Sequence, residues 1–131
     1  MKNTENETLK RSDQLVTHYF FLLDSHLNDL ISGKTNDMFE LNDIANILCV
    51  SQKHLIKIIQ KAKGNHPCHF YMEKILEQSK LLLSDTDWSI AEIAHRLTYD
   101  PSNFTKFFKK YEGKTPSEYR MEVKKAKSSP L

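Results

Sequence analysis

Residues 44–67 read IANILCVSQKHLIKIIQKAKGNHP and residues 93–116 read IAHRLTYDPSNFTKFFKKYEGKTP, and a shift of 49 superposes one on the other without a gap. Ile44, Ala45 and Leu48 fall on Ile93, Ala94 and Leu97, and Leu55, Ile58 and Ile59 fall on Phe104, Phe107 and Phe108. Lys57 falls on Lys106, Lys61 on Lys110, Gly64 on Gly113 and Pro67 on Pro116. Apolar positions recur with changes of size, whereas the lysines and the glycine and proline punctuation recur unchanged. That is the signature of one duplicated supersecondary unit.

Each copy reads as two short helices separated by a tight turn. Leu41, Ile44, Ala45 and Leu48 form the i, i+3, i+4, i+7 stripe of a short helix, interrupted by Cys49-Val50-Ser51. A second helix follows, with Leu55, Ile58, Ile59 and Ala62 inward, Ser51 as N-cap and Gly64 as stop. In the second copy Ser89-Ile90-Ala91-Glu92 is a capping box, and Asp100-Pro101 supplies an N-cap followed by proline at the first helical position. Phe104, Phe107, Phe108 and Tyr111 form the expected buried face, and Thr115-Pro116-Ser117-Glu118 opens one more helix.

Outside the repeat, Leu15, Val16, Tyr19, Phe20, Leu23, Leu27, Leu30 and Ile31 predict an apolar helix ended by Gly33. Phe70, Ile75, Leu76, Ser79, Leu82 and Leu83 predict a helix that links the two units. No segment alternates as a strand does, so the fold class is all-α with about seven helices, two helix-turn-helix units joined by a linker helix. The expected boundaries are a disordered lead over 1–13, an N-terminal helix over 14–33, the first unit over 36–66, the linker over 67–84, the second unit with its closing helix over 85–122, and a fraying basic tail over 123–131.

The chain has 131 residues, 39% of them hydrophobic and 27% charged, which suits one small domain or two very small ones and excludes a large multidomain enzyme. No apolar run approaches the ~18 residues needed to cross a bilayer, and the polar start Met1–Asp13 is not a signal peptide, so a cytoplasmic protein is expected. Cys49 and Cys68 form no CxxC pair and read as reduced thiols, with Cys49 buried in an apolar turn. Net charge is only +2, but it is unevenly placed: −4 over residues 1–50, +4 over 51–66, −3 over 67–100 and +5 over 101–131. Two basic blocks alternate with two acidic ones, the local positive charge that a phosphate backbone would meet.

Both basic blocks contain the second helix of a unit. With its apolar residues inward, the first presents Gln52, Lys53, Ile56, Lys57 and Gln60, and the second presents Ser102, Asn103, Thr105, Lys106 and Lys110. Lysine donates to guanine O6 and N7, asparagine pairs with adenine N6 and N7, and an isoleucine or threonine methyl packs on the thymine methyl. The competing readings are that such lysines are merely solvated and that Ile56 fills a gap against a neighbouring helix. No HExxH, GxSxG or glycine-rich phosphate loop occurs, so no enzymatic activity is expected. His66-Pro67-Cys68-His69 lacks a second ligand pair at finger-like spacing, so neither a metal nor a cofactor is expected. Two function classes remain: a sequence-specific binder of double-stranded DNA, and a helical protein-interaction module without specific DNA binding.

The stretch from Ser89 to Leu97, through Asn103-Phe104-Thr105-Lys106-Phe107-Phe108-Lys109-Lys110-Tyr111, to Gly113-Lys114-Thr115-Pro116-Ser117-Glu118-Tyr119-Arg120 strongly resembles the signature of the AraC/XylS family of bacterial transcription regulators. The resemblance covers roughly residues 36–122. It implies two helix-turn-helix units whose recognition helices enter successive major-groove segments on one face of the DNA, and either gene activation through contact with RNA polymerase or the repressor role that some members have. Neither a membrane nor a small-molecule site is implied in this chain. Where the family usually has glycine in each inter-helix turn, this chain has Cys49 and Thr98; if positive φ is required there, each costs about 1 kcal/mol. Ile75 stands where the linker helix commonly carries arginine.

Overall fold

The computed structural model describes the backbone of residues 3–127 and the side chains of residues 11–127. Among the described residues there are seven helices: α1 (Asn3–Ser32), α2 (Leu41–Ile47), α3 (Gln52–Lys63), α4 (Pro67–Asp85), α5 (Ile90–Arg96), α6 (Pro101–Glu112) and α7 (Pro116–Lys127). The shift of 49 relates α2 to α5 and α3 to α6 end for end, and it carries the start of α4 onto the start of α7. Duplication read from residue types is thus duplication of backbone. The helices pack as two compact units, one taking residues up to Asn28 together with Phe39–Glu73, the other taking Asp29–Met38 together with Lys74 onward.

In the first unit, Tyr19, Leu23 and Leu27 of α1 are buried with Ile44 and Ala45 of α2 and Leu55 and Ile59 of α3. Burying side chains of this size contributes about 1.5–3 kcal/mol each, so this cluster decides where α3 lies. Tyr19 is fully buried and its hydroxyl donates to the Pro67 carbonyl at 2.6 Å, tying α1 to the first residue of α4. Burial pushes that phenol well above its ordinary range, so it remains a hydrogen-bond donor. His26, which no sequence pattern singled out, is also buried: its ring stacks on Phe39 with centroids 3.7 Å apart, and its Nε2 accepts the Phe39 N–H.

In the second unit, Ile93, Ala94 and Leu97 around α5, Phe104 and Phe108 of α6, and Leu82 and Leu83 of α4 form the core. Phe108 meets Tyr119 of α7 edge-on at 5.5 Å. Arg120 of α7 donates to three backbone carbonyls, Leu83, Thr86 and Trp88, and so holds the connection between α4 and α5. Arg96 performs a similar task at the other side, donating to the Ile31 carbonyl and to Glu92 while its guanidinium stacks over Trp88 at 4.7 Å.

Four expectations need correction. Within the lead expected to be disordered, residues 3–13 are helical as the start of α1, continuous with the apolar stripe that begins at Leu15 and Val16, and residues 1–2 lie outside the described ones. The tail is helical to Lys127, Lys127 itself donating to the Ser84 carbonyl, while residues 128–131 lie outside the described ones. Cys49 is exposed, because the left-handed turn at that residue directs the side chain to solvent. Ala62 and Tyr111 are exposed as well, since the fully buried face of each second helix narrows to two residues one turn apart, Leu55 with Ile59 and Phe104 with Phe108. Tyr111 instead joins an aromatic edge in which Phe107 stacks on Tyr99 and touches Tyr111, both centroid distances being 5.3 Å.

Candidate nucleic-acid interface

The turn that launches each recognition helix is built twice from different residues with the same hydrogen bonds. The Leu48 N–H donates to Ile44 O, Cys49 to Asn46 O and Val50 to Ala45 O; in the second copy Leu97 donates to Ile93 O, Thr98 to His95 O and Tyr99 to Ala94 O. Every pair is related by 49. Reversing the chain in so few residues needs a left-handed residue, and Cys49 (φ 59°) and Thr98 (φ 64°) supply it without being glycine. The sequence condition for strain at those two positions is therefore met.

Caps then set where each helix begins and ends. Ser51 Oγ accepts from the His54 N–H, and Asp100 accepts from the Ser102 and Asn103 N–H groups, with Pro101 preset for the first turn. Gly64 (φ 81°) and Gly113 (φ 86°) close the helices in the left-handed conformation.

Gln52, Lys53, Lys57 and Gln60 on α3 and Ser102, Asn103, Lys106 and Lys110 on α6 are exposed, while Ile56 and Thr105, which are related by 49, are half-buried. The half-burial places one methyl-bearing side chain at the same point of each face. His54 and Lys61, equivalent to Asn103 and Lys110, are also exposed on α3, beyond the residues expected on its presented face. The shift of 49 already pairs Lys61 with Lys110, and applied to Asn103 it gives His54.

Charge separates the lysines into two sets. Lys80, Lys114, Lys124 and Lys127 sit in ion pairs with Glu112, Glu122, Asp87 and Asp85, respectively, and so belong to the packing around α7. Among the described residues, Lys53, Lys57, Lys61 and Lys63 on α3 and Lys106, Lys109 and Lys110 on α6 sit in no ion pair, as does Lys34 outside these helices, and α3 carries no acidic residue at all. Uncompensated charge is thus concentrated on the two second helices, the arrangement expected of a surface that meets phosphate. The His66–His69 run makes local bonds instead: His66 Nδ1 accepts the Cys68 N–H at 3.0 Å and His69 pairs with Glu73 at 3.1 Å. Burial pushes the Cys68 thiol up.

A family model described as a helix-turn-helix domain matches residues 44–122. The chain belongs to the AraC-type helix-turn-helix family. Over 100 residues it is 31% identical to the Msm operon regulatory protein of Streptococcus mutans, an overlap of 76% of this chain and 36% of that protein. The chain therefore spans about a third of that relative's length. The C-terminal domain of AraT, a response regulator from Geobacillus stearothermophilus, is 28% identical and superposes with a TM-score of 0.71, covering 82% of this chain and 84% of that one. A transcriptional regulator with an AraC-type DNA-binding domain from Chromobacterium violaceum shares the fold at a TM-score of 0.73 and 21% identity, covering 93% of this chain and 99% of that one. The AraC-type match begins in α2 and ends in α7, so it takes in both turn–helix pairs and leaves α1 outside.

Proposed function

We propose that this chain binds double-stranded DNA sequence-specifically as part of a transcription regulator, with α3 and α6 each entering the major groove on successive segments of one face of the duplex. The observation that carries the reading is the congruence of the two turn–helix pairs, which presents uncompensated lysines at Lys57 and Lys106 in equivalent positions. Lys53, Lys57, Lys106 and Lys110 donate to guanine edges or phosphates, Asn103 and the glutamines Gln52 and Gln60 pair with adenine, Ser102 donates or accepts, and Ile56 and Thr105 pack on thymine methyls. The description of a relative as an operon regulatory protein supports the regulatory half of the proposal. Gene activation through contact with RNA polymerase, in the cytoplasm, completes it; no cofactor and no catalytic step are invoked.

The test is Lys57→Ala and Lys106→Ala, singly and together, with helicity checked by circular dichroism. Each should weaken binding to a duplex selected by the wild-type protein by about 1–3 kcal/mol if the lysine reaches a base edge, with altered preference at one position. Wild-type affinity and preference in the folded double variant would contradict the proposal.

A further inference from the structure

The two units differ in one respect that the repeat does not explain. The helix preceding the first turn–helix pair, α1, has 30 residues, whereas α4, which precedes the second, has 19. In the first unit, the stretch of α1 from Arg11 to His18 forms one side of an open groove of about 430 Å3 whose other side is the α2–α3 turn and α3. Arg11, Gln14 and His18 line it from α1, and Val50, His54 and Ile58 line it from the other side. None of the lining residues is acidic. The cleft beside α5 in the second unit is different: it contains Glu92, and its Arg96 is already committed to that carboxylate and to the Ile31 carbonyl.

His54 fixes what the groove is next to. It is exposed on the first turn of α3, at the position equivalent to Asn103, so the groove opens onto the recognition face itself. A duplex seated on α3 brings a sugar–phosphate strand along that opening. A guanidinium is suited to grip phosphate with two donors, an amide and an imidazole add further donors, and the apolar Val50 and Ile58 suit the deoxyribose rather than a base edge.

We propose that the stretch of α1 from Arg11 to His18 is an additional DNA-contact surface, in which Arg11, Gln14 and His18 hold the sugar–phosphate strand flanking the segment that α3 reads. This rests on the DNA-binding reading given above. It makes the two half-sites unequal, the first being held over a longer stretch than the second.

The experiment compares wild type with Arg11→Ala, and with Arg11→Lys as the charge-preserving control, across a salt series. Two probes are used: a duplex selected by the wild-type protein from a random library, and a scrambled duplex of equal length. Losing one phosphate contact should reduce the slope of log affinity against log salt by about 0.9, so that Arg11→Ala loses roughly 3–4-fold less affinity than wild type between about 50 and 200 mM salt. The same factor should apply to both duplexes, leaving their ratio unchanged, and Arg11→Lys should keep the wild-type slope. Hydroxyl-radical footprints of Arg11→Ala should lose protection at one flank only. A wild-type slope and footprint in helical Arg11→Ala would overturn the inference, as would a changed ratio between the duplexes. If the wild-type protein enriched no duplex from the library and bound none at low salt, the DNA-binding reading would fail before any variant was compared.

Discussion

Replacing Cys49 and Thr98 by glycine should stabilise the protein, an outcome opposite to that of most substitutions. Both residues hold φ near 60°, a region that costs an L-residue about 1–2 kcal/mol, and the β-branched threonine more than cysteine. Glycine removes that strain but adds about 0.4–1 kcal/mol of unfolded-chain entropy. Little else is lost, because both side chains are exposed and the Cys49 thiol reaches only the Ile47 carbonyl, at 3.9 Å. The net gain should be about 0–1 kcal/mol for Cys49→Gly and about 1 kcal/mol for Thr98→Gly. The two sites lie in separate compact units and should add. Urea denaturation followed by circular dichroism would read about 1 kcal/mol as a midpoint shift of roughly 0.3–1 M at unchanged m. Thr98→Asn should recover part of the gain, since asparagine tolerates the left-handed region, and Thr98→Val should recover none. Destabilisation by both glycines, or a Thr98→Val variant as stable as Thr98→Gly, would refute the strain argument.

Three further outcomes follow from the packing. Phe108→Ala removes a fully buried ring that meets Tyr119 and should cost about 3–5 kcal/mol, lowering the melting temperature and DNA binding together; normal melting with lost binding would make Phe108 a contact residue. Tyr19→Phe leaves the Pro67 carbonyl without its buried donor and should cost about 1–3 kcal/mol in denaturant titrations, whereas no loss would mean that the bond is replaceable. The Glu118 carboxyl is held below its ordinary range, first by the Thr115 hydroxyl and then by its N–H, so its contribution is present above the usual carboxylate pKa and lost as pH falls through the lowered one. Thr115→Ala should therefore flatten the acid limb of a stability–pH profile slightly; an unchanged limb would count against the bond.

Much of this molecule was legible because its punctuation is local. Ser51, Gly64, Asp100-Pro101 and Gly113 act within a turn of where they stand, and each appears in the structure as the cap that its residue type suggests. The gapless shift of 49 paired α2 with α5 and α3 with α6 before any packing was considered. What was not legible depends on residues far apart in sequence. His26 reads as polar until Phe39 is placed against it, and the role of Arg120 exists only once the Leu83, Thr86 and Trp88 carbonyls converge. Tyr111 shares the spacing of a core residue, yet the last turn of α6 buries nothing at that position, so periodicity overstates the width of the buried face.

The central claim is that one chain touches DNA twice, through α3 and α6. Hydroxyl-radical footprinting of the wild-type protein on a selected duplex tests it directly. Two protected segments with centres about one helical turn, roughly 34 Å, apart on one face are expected, both weakening steeply as salt rises. A single protected segment of about half a turn, or no protection at low salt, would contradict the account.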